Sequence, residues 1–197
     1  MKKVKWKGGT LLAPVPPVMV SCGDMENSNI ITVGWTGIIN SDPPKTYISV
    51  RPSRHSYGII KERGEFVINL TPSRLVRSAD YCGVYTGKSV DKFAKCKLTK
   101  EEANEVSAPL IAECPISLEC KVCEVVPLGT HDMFIADIVA VDIDEELIDE
   151  KGKLHIEKAG LAAYAHGTYF ALGKKIGSFG FSAKKKNSKK SGAKKKK

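Results

Sequence analysis

Apolar and polar positions along this chain alternate in short runs, with a period closer to two than to 3.6. "NIITVGWTGII" (29–39) is β-branched and glycine-punctuated, and "KTYISVR" (45–51) alternates after an "SDPPK" turn, so both read as strands. "EFVINL" (65–70) reads as a third. "PISLECKVCEVVPLG" (115–129) and "HDMFIADIVAVDID" (131–144) form a long apolar pair about a Pro-Leu-Gly turn, as in an antiparallel barrel or sandwich. Helical signals are few. "SYGIIKERG" (56–64) offers Ser56 as an N-cap, an apolar pair, a basic last turn and a terminal Gly, with Gly58 weakening its first turn. "PSRLVRSADYCG" (72–83) and "SVDKFAKC" (89–96) predict short helices around a "GVYTGK" turn. "HIEKAGLAAYAHGTYFALG" (155–173) is expected to close the fold as a helix or loop.

Six or more strands without long intervening helices argue against a doubly wound parallel sheet. The expected class is mainly β, a closed or split antiparallel barrel with a few short helices. No strand–GxGxxG–helix unit and no P-loop is present, so any anion bound here does not use those folds.

Composition and charge add three limits. A chain of 197 residues suits one domain, and no window approaches the roughly eighteen apolar residues of a membrane span. The basic, apolar N-terminus is broken by three prolines and lacks a small-residue cleavage site, so cytoplasm is the expected location. The net charge of +9 is confined to "SAKKKNSKKSGAKKKK" (182–197), whose nine lysines leave residues 1–181 formally neutral. The expected organisation is therefore a folded domain over 1–181 and a disordered lysine-rich tail over 182–197. Such a tail attracts nucleic acid or acidic membrane surfaces without specificity, and has no aromatic side chain for base stacking. Among six cysteines the only tight pair is Cys120–Cys123, and on a strand those positions face opposite ways. That suits neither a zinc site nor a redox loop, and the cysteines are expected to be reduced, packed thiols.

The stretch "SVRPSRHSYGII" (49–60) gathers Arg51, Ser53, Arg54, His55 and Ser56 where a strand gives way to a helix. It reads either as a solvated turn or as an anion site, in which guanidiniums, a hydroxyl and first-turn N–H groups hold phosphate oxygens. Trp35 on a strand is commonly core, yet Gly34 and Thr36 beside it would let a flat ring approach the backbone. His131 after a turn, and Lys88 and Lys92 on a helix, are ordinary surface residues when taken singly.

Taken in order, "NIITVGWTG", "ISVRPSRHSY", "IIKERGEFVINL", "TGKSVDKF", "ISLECKV", "HDMFIADIVAV" and "LGKKIGSFGFS" resemble the flavin reductase-like family with an FMN-binding split barrel, its flavoredoxin branch in particular, over roughly residues 8–181. The resemblance implies a homodimer of six-stranded Greek-key split barrels holding FMN near the subunit interface. It implies phosphate contacts from Arg51, Ser53, Arg54, Ser56 and Lys92. The isoalloxazine edge is implied at Val33, Gly34, Trp35 and Thr36, with Asn29 nearby, and His131 and Tyr164 near the ring and the nicotinamide entrance. The implied activity is hydride transfer from NADH or NADPH to bound FMN, His131 orienting the reacting groups and free flavin or a redox protein accepting electrons. Two alternatives are a non-enzymatic electron carrier and a tail-driven nucleic-acid or membrane association.

Overall fold

The computed structural model describes residues 1–183. Most of the lysine-rich tail expected over 182–197 lies outside the described residues. Strands β1 (Val18–Cys22), β2 (Asn29–Val33), β3 (Thr36–Ser41) and β4 (Pro44–Val50) precede helix α1 (His55–Arg63) and β5 (Glu65–Asn69). Helices α2 (Val76–Val84) and α3 (Lys92–Cys96) follow, then the short strands β6 (Lys100–Glu101) and β7 (Leu110–Ile111). The long strands β8 (Ile116–Pro127) and β9 (Asp132–Ile143) come next, and β10 (Ala162–Ala165) and β11 (Thr168–Ala171) make a final hairpin.

Seven strands pair in the order β2-β1-β5-β8-β9-β4-β3, antiparallel throughout. The two edges of this sheet, β2 and β3, are neighbours in sequence, separated only by Gly34 and Trp35. A flat sheet of this width would hold its edges about 29 Å apart at strand spacing, whereas Val33 to Thr36 reaches about 11 Å. The sheet must therefore curl until its edges approach, which gives a mainly β half-barrel with few short helices. The seventh strand arises because the run 29–39, expected as one strand, is divided by the bend at Gly34–Trp35.

Alternation explains the core. Val18, Val20 and Cys22 of β1 point inward to meet Ile31, Val33, Ile48, Val50, Phe66, Ile68, Phe134 and Ala136, with Ile60 of α1 closing one end. The opposite face of β1 and β2 is also covered: Met19 and Ile30 pack against Ala79 and Cys82 of α2 and Phe93 of α3. This double cover is why all of β1 is buried, and why a prolyl apolar run gave no alternation to mark it in the sequence. Residues 155–173, expected as a helix or loop, instead make a 3-10 turn and the β10–β11 hairpin, whose His166 and Gly167 have φ of 45° and 85°. Two successive positive φ values are the signature of a type I′ hairpin turn, which His-Gly permits.

Ser56 does not cap α1; the N-cap position is Arg54, which makes no side-chain capping bond, and Gly64 ends the helix at φ 68°. The hairpin β8–β9, with twelve residues in each strand, forms about the expected turn, and Cys120 is buried while Cys123 is exposed. All six cysteines are free thiols.

Two buried polar side chains tie loops to the sheet. Asn69 donates to Met19 O and Ser21 Oγ, both at 3.0 Å, while its Oδ1 accepts from Ile111 N and Ser117 Oγ. Glu119, fully buried, accepts from the backbone N–H groups of Asn104, Glu105 and Val106 at 2.9, 2.6 and 3.0 Å. Beside it, burial and the Glu119 charge push the Asp142 carboxyl above its usual range.

Removing Glu119 orphans three N–H groups, so Glu119→Ala is expected to cost about 3 kcal/mol in urea denaturation; a loss below about 1 kcal/mol would show the loop needs no such anchor. Gly58 lies within α1, and a Cβ there meets nothing within 4 Å. Gly58→Ala is expected to stabilise by about 0.5–1 kcal/mol in the same assay.

Candidate functional site

Where the curled sheet fails to close, two joined cavities open beside the start of α1. One, of about 270 Å³, lies between β2 and the end of β4, walled by Val33, Gly34, Trp35, Arg51, His131 and Tyr164. The other, of about 280 Å³, is lined by Asn29, Ser53, Arg54, Ser56, Gly87 and Lys92. Ile31 and Arg54 line both, so the two form one elongated cleft of small-molecule size.

The second cavity is built for negative charge. Lys92 is 3% exposed, and its Nζ donates to Ile30 O at 2.7 Å and Cys82 O at 2.9 Å. An ammonium has three hydrogens, so one remains. No carboxylate pairs with it among the described residues, and burial, with Arg54 nearby, lowers its pKa from the usual lysine value. A buried cation without an anion is costly, and the fold retains this one at the cleft. The uncapped first turn of α1 adds N–H donors and the positive end of its dipole. Ser56 is buried, and its Oγ accepts from Asn29 Nδ2 at 2.7 Å, a bond that does not use the hydroxyl proton. Arg54 donates to Gly83 O, which joins the start of α1 to the end of α2. These groups fit a phosphate monoester: a buried ammonium, a guanidinium, two serine hydroxyls and free helix N–H groups.

The first cavity is flatter in chemistry. Trp35 is held by its own carbonyl, which accepts from Ser49 N at 2.9 Å. Tyr164 is pinned by paired backbone bonds with Val15, at 2.9 and 2.8 Å. Its ring meets that of Tyr169 edge-on at 5.2 Å, and the Tyr169 hydroxyl donates to Asp80. Burial and the Asp80 charge push Tyr169 up to about 12, so it stays protonated. His131 Nδ1 lies 3.0 Å from Thr130 Oγ1, and burial followed by the Arg51 charge lowers its pKa below 6.5. The imidazole is therefore neutral at pH 7 and able to give or take a hydrogen bond.

The structure gathers eleven of the twelve sequence-derived candidates on this cleft. Thr36 is set apart: its hydroxyl donates to Tyr47 O at 2.6 Å and holds β3 to β4. Two others change places. Arg51 lines the first cavity, beside His131, and Asn29 lines the second, on the Ser56 hydroxyl. Sequence reasoning missed Tyr169, Gly83 and Gly87. The alternating "YAHGTYF" with its His-Gly turn carried the signal for Tyr169. Gly87 had none, for its role is spatial: a Cβ there would lie 2.2 Å from Asn29 Oδ1. Gly87→Ala should thus displace Asn29 and weaken phosphate-ester binding about tenfold by isothermal titration, with folding intact; unchanged affinity would remove Asn29 from the site.

Comparison with known proteins agrees with this geometry. A family model described as "Flavin reductase like domain" matches residues 11–173. An uncharacterized protein of Archaeoglobus fulgidus is 30% identical over 140 residues, 71% of this chain and 78% of its own. Among solved structures, flavoredoxin of Desulfovibrio vulgaris (Miyazaki F) superposes with a TM-score of 0.86 at 32% identity, over 93% of this chain and 100% of that one. Flavoredoxin from Methanosarcina acetivorans does so with a TM-score of 0.82 at 27% identity and the same coverage. A split half-barrel with an anion-seeking cleft at its open seam, matched along almost its whole folded length, places this chain in the flavin reductase-like family.

Proposed function

We propose that this chain binds FMN along the joined cavities and works as an NAD(P)H-dependent flavin oxidoreductase. Family membership supports a flavin-binding redox function. The observation that carries the finer reading is Lys92, a buried ammonium with no carboxylate partner among the described residues, at the foot of a cleft too long for a phosphate alone.

In this reading Lys92, Arg54, Ser53, Ser56 and the first-turn N–H groups of α1 hold the phosphate, and Asn29 orients the Ser56 hydroxyl. Val33, Gly34 and Trp35 offer backbone groups to the ring edge, and Thr36 positions that bend through Tyr47. Tyr164 and Tyr169 wall the cleft, Arg51 supplies positive charge on the ring side, and His131, neutral at pH 7, orients the reacting groups. The bound flavin would supply the redox chemistry and the protein its position and electrostatics. Electrons would come from NADH or NADPH and leave to free flavin or a redox protein.

A second reading, an electron carrier between redox proteins, is favoured by the likeness to two flavoredoxins. Both readings include a homodimer, supported by apolar side chains that stand in solvent on one chain: Ile38 and Ile39 of the edge strand β3, and Phe170, Leu172 and Ile176 towards the C-terminus. No helix among the described residues is long and apolar enough to cross a membrane.

Purified protein is expected to be yellow, or to become so with FMN, and to oxidise NADH or NADPH anaerobically without an added protein. A yellow protein that leaves both nicotinamides untouched would favour the carrier, and a protein that takes up no flavin would refute both readings. Lys92→Met should weaken FMN about ten- to a hundredfold, the worth of one charged hydrogen bond, and leave riboflavin, which lacks the phosphate, unchanged. Equal losses for both ligands would place the phosphate elsewhere. Because the protonated lysine holds the anion and its pKa lies below 10.5, FMN affinity should fall with rising alkaline pH in the wild type, and the Lys92→Met variant should lose that dependence. Light scattering should give two chains per particle, and Ile38→Asp should shift it towards one.

A further inference from the structure

The only close cysteine spacing in sequence, Cys120–Cys123, is split between the two faces of β8, but a pair fourteen residues apart meets in space. Cys82 of α2 and Cys96, the last residue of α3, bring their Sγ atoms to 4.0 Å. Cys82 is fully buried and Cys96 is partly exposed, so one thiol can be reached from solvent while the other waits behind it. The other thiols are placed differently: Cys22, Cys114 and Cys120 are buried, and exposed Cys123 lies on β8 with its Sγ donating to Ile135 O.

The pair also sits on the phosphate cavity. Lys92 opens the five-residue helix that Cys96 ends, and Lys92 Nζ donates to the carbonyl of Cys82 itself. A shift of the α3 backbone that draws Cys96 towards Cys82 would carry the buried ammonium with it. A disulfide needs the sulfurs at about 2.05 Å, so closure shortens this gap by roughly 2 Å.

We propose that Cys82 and Cys96 are a peroxide-responsive thiol pair whose disulfide ties α3 to α2 and loosens the grip of Lys92 on its anion. The Cys96 sulfur attacks one oxygen of hydrogen peroxide, the O–O bond breaks, and the second oxygen leaves as water once protonated, so that Cys96 becomes a sulfenic acid. Cys82 then attacks the Cys96 sulfur and gives up its proton, and the sulfenic hydroxyl leaves as a second water. Two thiols lose two electrons and one peroxide becomes two waters. Burial, with Cys96 beside it, pushes the Cys82 thiol up to about 12, so Cys82 stays protonated in the reduced protein and the first attack falls to Cys96.

The disulfide stands on the cysteine geometry alone; its effect on FMN rests on the function proposed above. The test uses the full chain with Cys123→Ser, reduced or treated with hydrogen peroxide, followed by peptide mass mapping and FMN titration. The expected result is a linked Cys82–Cys96 peptide that is absent in Cys96→Ser and reversed by a dithiol. FMN should bind the oxidised form about fivefold or more weakly, with no such change in Cys96→Ser. Over-oxidation of Cys96 without a linked peptide would overturn the proposal, as would a linked peptide with FMN affinity unchanged. If the reduced protein takes up no FMN, the function proposed above and the loosening both fail, and the linked peptide still decides the disulfide by itself.

Discussion

The two-residue link between β2 and β3 is the constraint on which the rest of this molecule depends. Gly34 and Trp35 join strands at opposite edges of a seven-stranded sheet, and so short a tether is satisfied only if the sheet rolls up. Rolling brings β2 near β4 without pairing them, and the unpaired seam is the cleft. The same bend places Trp35 at the mouth of that cleft and anchors its carbonyl on Ser49. Barrel curvature and candidate site are thus one feature seen at two scales.

Beside the seam, the fold spends stability on charge. Burying an ammonium without an anion is unfavourable, and the depressed pKa of Lys92 expresses that cost. Two backbone carbonyls offset part of it. A depressed cation destabilises the fold in full below its folded pKa, and the penalty fades as pH rises from there to the unfolded one. An anion in the cavity acts in the opposite sense, returning the pKa upward and stabilising the folded chain by mass action. Glu119 illustrates the contrasting solution, where a buried carboxylate is fully supplied with donors and serves structure only.

The outer layer gives the site its remaining parts. Helices α2 and α3, packed on the back of β1 and β2, contribute Gly83, Lys92 and the Cys82–Cys96 contact. The late β10–β11 hairpin is stitched to Val15 and brings Tyr164 and Tyr169 across the first cavity, beside Trp35. Elements more than a hundred residues apart in sequence thereby face one another over a few ångströms.

Much of this was determined by the sequence alone. Period-two alternation with turn residues specified β4, β5, β8 and β9, because a strand with one buried face must alternate wherever it forms. Short apolar patterns with terminal Gly or basic residues specified α1 to α3 for an equally local reason. Arg51 to Ser56 stood out because such side chains cluster where a strand yields to a helix start. What only the tertiary structure decided is everything set by distance between remote segments. It turned Lys92 from one more basic residue into a buried cation, moved Asn29 to the hydroxyl of Ser56, gave Gly87 its steric duty, hid β1 by covering both its faces, and joined Cys82 to Cys96. Local pattern encodes which face of an element is apolar, but not which other element covers it, and burial of charge and proximity of sulfur are properties of that second choice.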